Sequence, residues 1–330
     1  MKKIINAVDQ VEEQMVDGML KAYPQYLKRV DGTNVIVRAK KKTDKVALIS
    51  GGGSGHEPAH GGYVGTGMLD AAVPGAVFTS PTPDQIYEGI KAVATDKGVL
   101  MVVKNYTGDV MNFEMAADMA RDEGIKVEEV VVNDDVAVDG SLYTVGRRGV
   151  AGTVFVHKIA GAKAETGASL KEVKAIAEKV IANVRSMSMA IRPCTVPAAG
   201  KPGFELGDDE MEIGIGIHGE TGTRREKLRS ADEIVDILLE KILADLDYSN
   251  SEVAVMINGC GATPLMELFI ANNRVADVLK DKEINVYKTF VGEYMTSLEM
   301  EGFSISLLKL DDELKKLLDE RADTPGFKII

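Results

Sequence analysis

The sequence lacks the features that mark a membrane protein, a nucleic-acid-binding protein or a disulfide-stabilised secreted protein. No apolar run in its 330 residues comes near the roughly eighteen that a membrane-spanning helix needs. Lys and Arg number 39 against 51 Asp and Glu, and the net charge of -12 argues against a nucleic acid or an anionic membrane as partner. Only Cys194 and Cys260 are present, and no apolar signal core follows Met1. We therefore expect a cytoplasmic, enzyme-sized globular protein.

The known nucleotide motifs are also missing from the glycine-rich run at residues 51–58. Walker A needs Lys-Ser/Thr where His56-Glu57 stands, and Pro58 takes the place of the third glycine of the dinucleotide fingerprint. The letters from His56 to His60 match a zinc-protease motif, but that motif needs both histidines on one face of a helix. Because proline and glycine disfavour a helix here, we expect a loop without metal.

Apolar runs alternate with helical patterns along the chain, which is typical of βα units and a sheet buried on both faces. Capping-box sequences at Ser169/Glu172 and Ser230/Glu233 indicate two helix starts. The predicted strands are 35–37, 46–49, 99–103, 127–132, 211–217, 253–257, 285–290 and 303–307. The predicted helices are 84–95, 112–123, 170 to about 187, the segment after Ser230, and 311–319. The pattern predicts an α/β protein with two α/β domains, whose largely parallel or mixed sheets are flanked by helices.

A break in periodicity divides the chain. Three prolines and two glycines fall between residues 191 and 203. We place a linker at 191–209, between an N-terminal α/β domain of residues 1–190 and a C-terminal α/β domain of residues 210–330.

Three loops share one form, in which a predicted strand ends in glycines and a chemically competent side chain. They are 51–58 with His56, 104–109 with Asp109, and 214–220 with His218. Because functional side chains are often mounted on loops held by a sheet, this shared setting favours one site for a small polar molecule. The other two histidines have plainer interpretations: His60 as a hydrogen-bonding loop residue and His157 as a core residue.

Five segments, in order, resemble the dihydroxyacetone kinase family. They are 51–58, 60–65, 81–85, 104–109 and 216–220, and the resemblance extends over essentially the whole chain. One departure is Thr221, where the family more often has proline or a small residue after Gly-Glu. We expect this to tune the loop without abolishing its chemistry.

The resemblance implies a covalent mode of substrate binding. In that family a neutral histidine adds reversibly to the ketone carbon of dihydroxyacetone, and His218 holds the matching position. The hemiaminal would exclude glycerol, which has no electrophilic carbon. Asp109 would take the proton from the terminal hydroxyl, with His56 hydrogen-bonding or sharing the acid–base work, and which of the two is the dominant base stays open. The positions that would hold the substrate oxygens are Gly53, Ser54, Gly55 and Lys104.

The phosphoryl donor is expected on another polypeptide, because the sequence shows no phosphate cradle and no evident acidic cluster for Mg²⁺. The chain ends soon after the predicted helix 311–319, and it therefore resembles the stand-alone K subunit of the phosphoenolpyruvate-dependent system. The resemblance then implies a homodimer that binds no cofactor itself. A separate L subunit would carry ADP/ATP and Mg²⁺, an M subunit would recharge it, and the product would be dihydroxyacetone phosphate.

Two alternatives stay open. Some paralogues of this module bind dihydroxyacetone and act with a transcription regulator, and the presence of both His56 and Asp109 favours the enzyme subunit over such a sensor. The other alternative is an ATP-dependent module that works with an unlinked nucleotide subunit.

Overall fold

The computed structural model describes residues 2–137 and 144–330. The helices in this part of the chain are α1 (Val11–Ala22), α2 (Pro83–Val93), α3 (Thr107–Asp122), α4 (Thr153–Glu165), α5 (Leu170–Asn183), α6 (Ala231–Asp245), α7 (Leu265–Asp281) and α8 (Asp312–Asp319). The strands up to the middle of the chain are β1 (Leu27–Arg29), β2 (Ile36–Arg38), β3 (Ala47–Ser54), β4 (Ala71–Val77), β5 (Val99–Lys104) and β6 (Val127–Val132). The later ones are β7 (Val184–Arg192), β8 (Glu210–Ile213), β9 (Arg224–Lys227), β10 (Glu252–Gly259), β11 (Asn285–Gly292), β12 (Glu301–Leu310), β13 (Ala322–Asp323) and β14 (Lys328–Ile329).

Two six-stranded sheets form the framework. The first has the order β1-β2-β4-β3-β5-β6, and its last four strands are mutually parallel. The second has the order β11-β10-β12-β7-β8-β9, in which only β10 and β11 pair in parallel. The expected α/β class with two mixed sheets flanked by helices is confirmed.

The sheets pack on a shared layer of helices. Side chains of β3 alternate, so that Leu48 faces a core built with α4 and α5, while Ile49 faces α2 and α3. Strand β10 alternates in the same way: Met256 points to α4 and α5, and Val255 to α6 and α7. Helices α4 and α5 therefore lie between the sheets, and eleven of the thirteen residues of α4 are buried.

The long helix predicted from 170 to about 187 ends earlier than expected. Its capping box at Ser169 and Glu172 is present, but α5 stops at Asn183, and Val184 is extended with φ -108° and ψ 137°. Residues 184–192 instead form β7, which pairs with β12 in the second sheet. Val184 follows the helical spacing of Val180, so the local pattern indicated a helix where pairing with β12 imposes a strand. The second sheet thus takes a strand from before the predicted linker at 191–209.

A second correction concerns the start of α3. The sequence pattern placed this helix from residue 112 and Asp109 in a loop, whereas α3 begins at Thr107 and Asp109 lies in its first turn. Acidic side chains are favoured there because the N-terminus of a helix carries partial positive charge.

None of the helices in the described ranges combines the length and the apolarity that crossing a bilayer requires.

Candidate active site

Three neighbouring parallel strands of the first sheet deliver side chains to one edge. Strands β4, β3 and β5 are adjacent and parallel, so their carboxyl ends meet. Phe78 follows β4, His56 follows β3, and Tyr106 follows β5 immediately before α3. His218 comes to the same place from the loop after β8 in the second sheet. Its ring centroid lies 4.8 Å from that of His56. Two of the predicted catalytic residues, one from each sheet, are therefore in contact.

The imidazole of His218 contacts three other rings. Besides His56, it meets the ring of Tyr106 at 4.6 Å and that of Phe78 at 5.2 Å, both edge-on. Phe78 also stacks on His56 at 5.1 Å, and it holds a left-handed backbone with φ 57°, which is uncommon for a bulky residue. Such conformations concentrate at functional sites.

Glu220 orients His218. One carboxylate oxygen, Oε1, lies 2.8 Å from His218 Nδ1, and the other accepts the backbone N–H of His218 at 2.9 Å. Burial alone would raise the pKa of Glu220, but the adjacent His218 outweighs it and lowers that pKa to about 2. Since an ionised carboxylate only accepts, Nδ1 carries the proton, and a neutral ring has its lone pair on Nε2.

Gly216 leaves room for the Glu220 carboxylate in this position. A Cβ on Gly216 would lie 1.9 Å from Glu220 Oε2 and 2.8 Å from Arg148 Nη1. Any side chain at residue 216 would displace one of these two groups.

His56 presents the same ring atom as His218. Its Nδ1 lies 2.7 Å from the carbonyl oxygen of Thr296, which can only accept, so Nδ1 donates and Nε2 holds the lone pair. The ring is fully buried, and burial, together with the charge of Lys104, lowers its pKa well below the ordinary value. His56 is therefore neutral at ordinary pH.

Asp109 and Lys104 form a buried ion pair beside these histidines. Asp109 Oδ2 lies 3.7 Å from Lys104 Nζ, and both side chains are almost completely buried. Burial lowers the pKa of Lys104, although the charge of Asp109 opposes this shift. A Cβ on Gly52 would lie 2.4 Å from Lys104 Nζ, so the glycine leaves room for the ammonium.

Unpaired polar atoms cluster at this place. Of seven buried side-chain nitrogen and oxygen atoms without a hydrogen-bond partner in the described part of the chain, four belong to the site: His56 Nε2, Tyr106 Oη, Asp109 Oδ1 and Arg148 Nη1. Buried polar groups are nearly always paired, so such a cluster indicates space for a polar ligand.

The predicted glycine-loop residues are placed differently from the rings. Ser54 Oγ donates to the carbonyl of Gly75 at 2.6 Å, and the N–H of Gly55 points to the carboxylate of Glu57 at 3.1 Å. A Cβ on Gly53 would lie 2.7 Å from Cα of Phe78. In this structure the three residues hold the loop against the segment of Phe78.

His56 and His60, the two histidines of the segment that matches the zinc-protease motif, contact different residues. Residues 56–60 form a bend followed by a turn, with His56 in contact with His218 and His60 in contact with His157. Within the described residues no group of three or more His, Cys, Asp or Glu side chains is arranged to hold a metal ion.

Sequence reasoning missed the supporting residues Phe78, Tyr106, Arg148, Glu220 and Thr296. Tyr106 and Glu220 fall inside the loops it singled out, and the spacing of two residues between His218 and Glu220 was an available signal. Phe78 and Thr296 gave no signal, because they approach the site only through the folding of the two sheets.

The fold and the site define an α/β protein with a two-histidine site at the junction of two sheets. Within that class the chain belongs to the Dak1 domain family, whose model matches residues 17–326. It is 60% identical over 314 residues, 95% of each chain, to the PTS-dependent dihydroxyacetone kinase 1, dihydroxyacetone-binding subunit DhaK, of Listeria innocua serovar 6a. The resemblance to dihydroxyacetone kinases is confirmed.

Two solved structures are close. The native dihydroxyacetone kinase of C. freundii superposes with a TM-score of 0.93 at 35% identity, over 99% of this chain but only 60% of that longer chain. The dihydroxyacetone kinase operon co-activator Dha-DhaQ superposes with a TM-score of 0.90 at 36% identity, over 98% of both chains. Both a kinase and a co-activator therefore share this fold.

Proposed function

We propose that this chain is the dihydroxyacetone-binding K subunit of a phosphotransferase-dependent kinase, and that it binds dihydroxyacetone as a hemiaminal on His218. The observation that carries the proposal is the pairing of His218 Nδ1 with Glu220, which leaves a lone pair on Nε2 beside four unpartnered buried polar atoms. The relative of 60% identity bears the name of such a subunit.

The proposed step is the addition of His218 to the ketone of dihydroxyacetone. The Nε2 lone pair forms a bond to the ketone carbon, and the carbonyl π pair moves to oxygen, which takes a proton from solvent. The Glu220 carboxylate stabilises the imidazolium formed at this moment and passes the Nδ1 proton to solvent. The adduct is heavier than the free protein by one dihydroxyacetone, and its hydroxyls are held in one pose.

Asp109 then accepts the proton of the terminal hydroxyl as that oxygen attacks phosphorus. Its Oδ1 has no partner among the described residues and is buried, which suits a base. Neutral His56, with its lone pair on Nε2, shares the acid–base work by accepting the same proton in alternation with Asp109. Lys104 stabilises the developing alkoxide.

The phosphoryl group comes from ATP with Mg²⁺ on a separate L subunit, which an M subunit recharges. The K subunit itself binds no nucleotide and acts as a homodimer to which the L subunit docks. The name of the Listeria relative, which is both PTS-dependent and a substrate-binding subunit, supports this division of labour.

Intact mass spectrometry tests the covalent step. Incubation with dihydroxyacetone followed by rapid desalting is expected to add the mass of one dihydroxyacetone to the native chain. The increase is expected to vanish in His218→Ala and with glycerol in place of dihydroxyacetone. A native chain that shows no increase, or an increase that survives in His218→Ala, would defeat the nucleophile assignment.

A sensing function is the second candidate, because the Dha-DhaQ co-activator shares the fold at a TM-score of 0.90. Binding would proceed in the same way in both cases. The combination of His56 and Asp109, both buried beside the site, favours the enzyme. Adduct formation without formation of dihydroxyacetone phosphate, in a reaction reconstituted with the nucleotide-carrying subunit and the phosphotransferase components, would support the sensor.

A further inference from the structure

Two buried histidines lie behind the site, and none of the steps above uses them. His60 follows the glycine loop, and His157 lies on the interior helix α4. His60 Nε2 lies 3.2 Å from Lys104 Nζ, and His60 Nδ1 lies 2.9 Å from His157 Nε2. A continuous chain of contacts therefore runs from Asp109 through Lys104 and His60 to the middle layer of the fold.

Donor and acceptor rules fix the direction of this chain. An ammonium only donates, so His60 Nε2 must accept from Lys104. The ring proton of neutral His60 is then on Nδ1 and is donated to His157 Nε2. His157 in turn carries its own proton on Nδ1, an atom with no partner among the described residues. Both rings are thus held with the proton on Nδ1, although imidazole in water prefers it on Nε2.

The surrounding charges agree with two neutral rings. The titratable groups that face Lys104 are Asp109 from α3, His56 and His60 from the glycine loop, and His157 from α4. Burial, followed by the charge of Lys104, lowers the pKa of His60 well below its ordinary value and that of His157 to about 3.

We propose that His60 and His157 are positioning residues that hold the Lys104 ammonium against Asp109, with His157 fixing the tautomer by which His60 accepts from Lys104. The role of the ion pair in turnover rests on the proposed function. The ammonium has two hydrogen-bond acceptors, Gly51 O at 3.3 Å and His60 Nε2 at 3.2 Å, and Asp109 Oδ2 is its ion-pair partner at 3.7 Å. Loss of one acceptor from a fully buried cation favours its neutral form.

The tautomers are tested directly by NMR of protein labelled with ¹⁵N-histidine. The chain has four histidines, so single substitutions assign every signal. We expect His60 and His157 to show a protonated Nδ1 and an unprotonated Nε2 from pH 5 to 9. A proton on Nε2 of either ring, or titration of either ring in this range, would overturn the proposal. This measurement does not depend on activity.

The effect on Lys104 is tested by the pH profile of turnover. His60→Leu removes the acceptor. It is expected to lower the pKa of Lys104, and with it the pH at which kcat falls on the alkaline side of the profile (the alkaline limb), by about one unit, since a hydrogen bond to a charged group is lost. His60→Gln places an amide oxygen near the position of Nε2 and is expected to restore the limb. His157→Leu is expected to shift it in the same direction by less.

Two results would contradict the positioning role. One is a His60→Leu variant that loses thermal stability while its alkaline limb stays in place, which would indicate a merely structural residue. The other is an equal shift in His60→Leu and His60→Gln, which would remove the acceptor as the cause. The mass of the dihydroxyacetone adduct is recorded for each variant. If the His60→Leu variant forms the adduct but the alkaline limb of its kcat profile does not move, the positioning role alone is contradicted. If the native chain forms no adduct, the proposed function is contradicted.

Discussion

At the scale of single residues, the proposed function assigns substrate binding and proton transfer to different side chains. Glu220 fixes the proton of His218 on Nδ1, and the carbonyl of Thr296 fixes that of His56 on Nδ1. Both histidines therefore present Nε2, but only His218 has a carboxylate on its other side. A carboxylate stabilises the positive charge that forms when the ring attacks a carbonyl, and a peptide carbonyl does this less well. The difference supports His218 as the nucleophile.

Asp109→Asn is expected to keep the dihydroxyacetone adduct and to lower kcat by about 10²- to 10⁴-fold, because a general base is lost while the nucleophile is unchanged. The measurement pairs intact mass with turnover in the presence of the nucleotide-carrying subunit. His56→Gln, which keeps an acceptor near the position of Nε2, is the comparison. A greater loss of kcat in His56→Gln than in Asp109→Asn would assign the dominant base to His56.

At the scale of elements, the loops were easier to predict than the helices around them. Glycine runs at strand ends indicate places where the backbone closely approaches another group. Gly52 lies close to Lys104 in this way, and Gly216 lies close to Glu220. These signals are local, so the sequence alone indicated the three loops that meet.

Helix α4 escaped prediction for a physical reason. It lies between the two sheets and is buried on almost all sides, so it shows no amphipathic period. The predicted end of α5 was wrong because the residues from Val184 onward are extended by pairing with strand β12. His157 was expected to be a core residue, and its burial on α4 agrees with this, but its contact with His60 depends on the packing of α4 against the first sheet.

Gly216→Ala tests the loop after β8. The new Cβ would push Glu220 away from His218, and we expect occupancy of the dihydroxyacetone adduct to fall by roughly tenfold or more as the charged hydrogen bond is lost. Gly203→Ala is the matched control, because its Cβ would meet only a carbonyl at 3.8 Å. Equal adduct occupancy in both variants, measured by mass across a range of dihydroxyacetone concentrations, would show that Glu220 does not orient the nucleophile.

At the scale of the whole molecule, the site exists only when the two sheets are packed. The first sheet supplies His56, Lys104 and Asp109, and the loop after β8 of the second supplies His218. The helix layer of α4 and α5 sets the spacing between the sheets. Interactions that fix α4 therefore support the site from a distance.

Glu165, at the end of α4, is one such anchor to the first sheet. Its carboxylate binds Arg38 of β2 at 2.9 Å and Lys42 at 2.8 Å. Burial would raise its pKa, but the charge of Arg38 and the hydrogen bond from Lys42 outweigh this and lower it to about 2. A pKa lowered on folding stabilises the native state above the unfolded value near 4.5, and this contribution disappears as the pH falls toward 2.

Glu165→Gln is therefore expected to lower the free energy of unfolding by about 2–3 kcal/mol at pH 7, because a largely buried carboxylate is lost from between two cations. The difference from the native chain is expected to narrow as the pH is reduced from 5 to 3, since the native carboxylate then loses its advantage. Urea unfolding at several pH values measures both effects. Glu128→Gln is the control: Glu128 pairs with Lys174 with its side chain 47% exposed, so a change of less than about 0.5 kcal/mol is expected. A difference for Glu165→Gln that stays constant across this pH range would mean that the ion pairs of Glu165 do not stabilise the attachment of α4 to the first sheet.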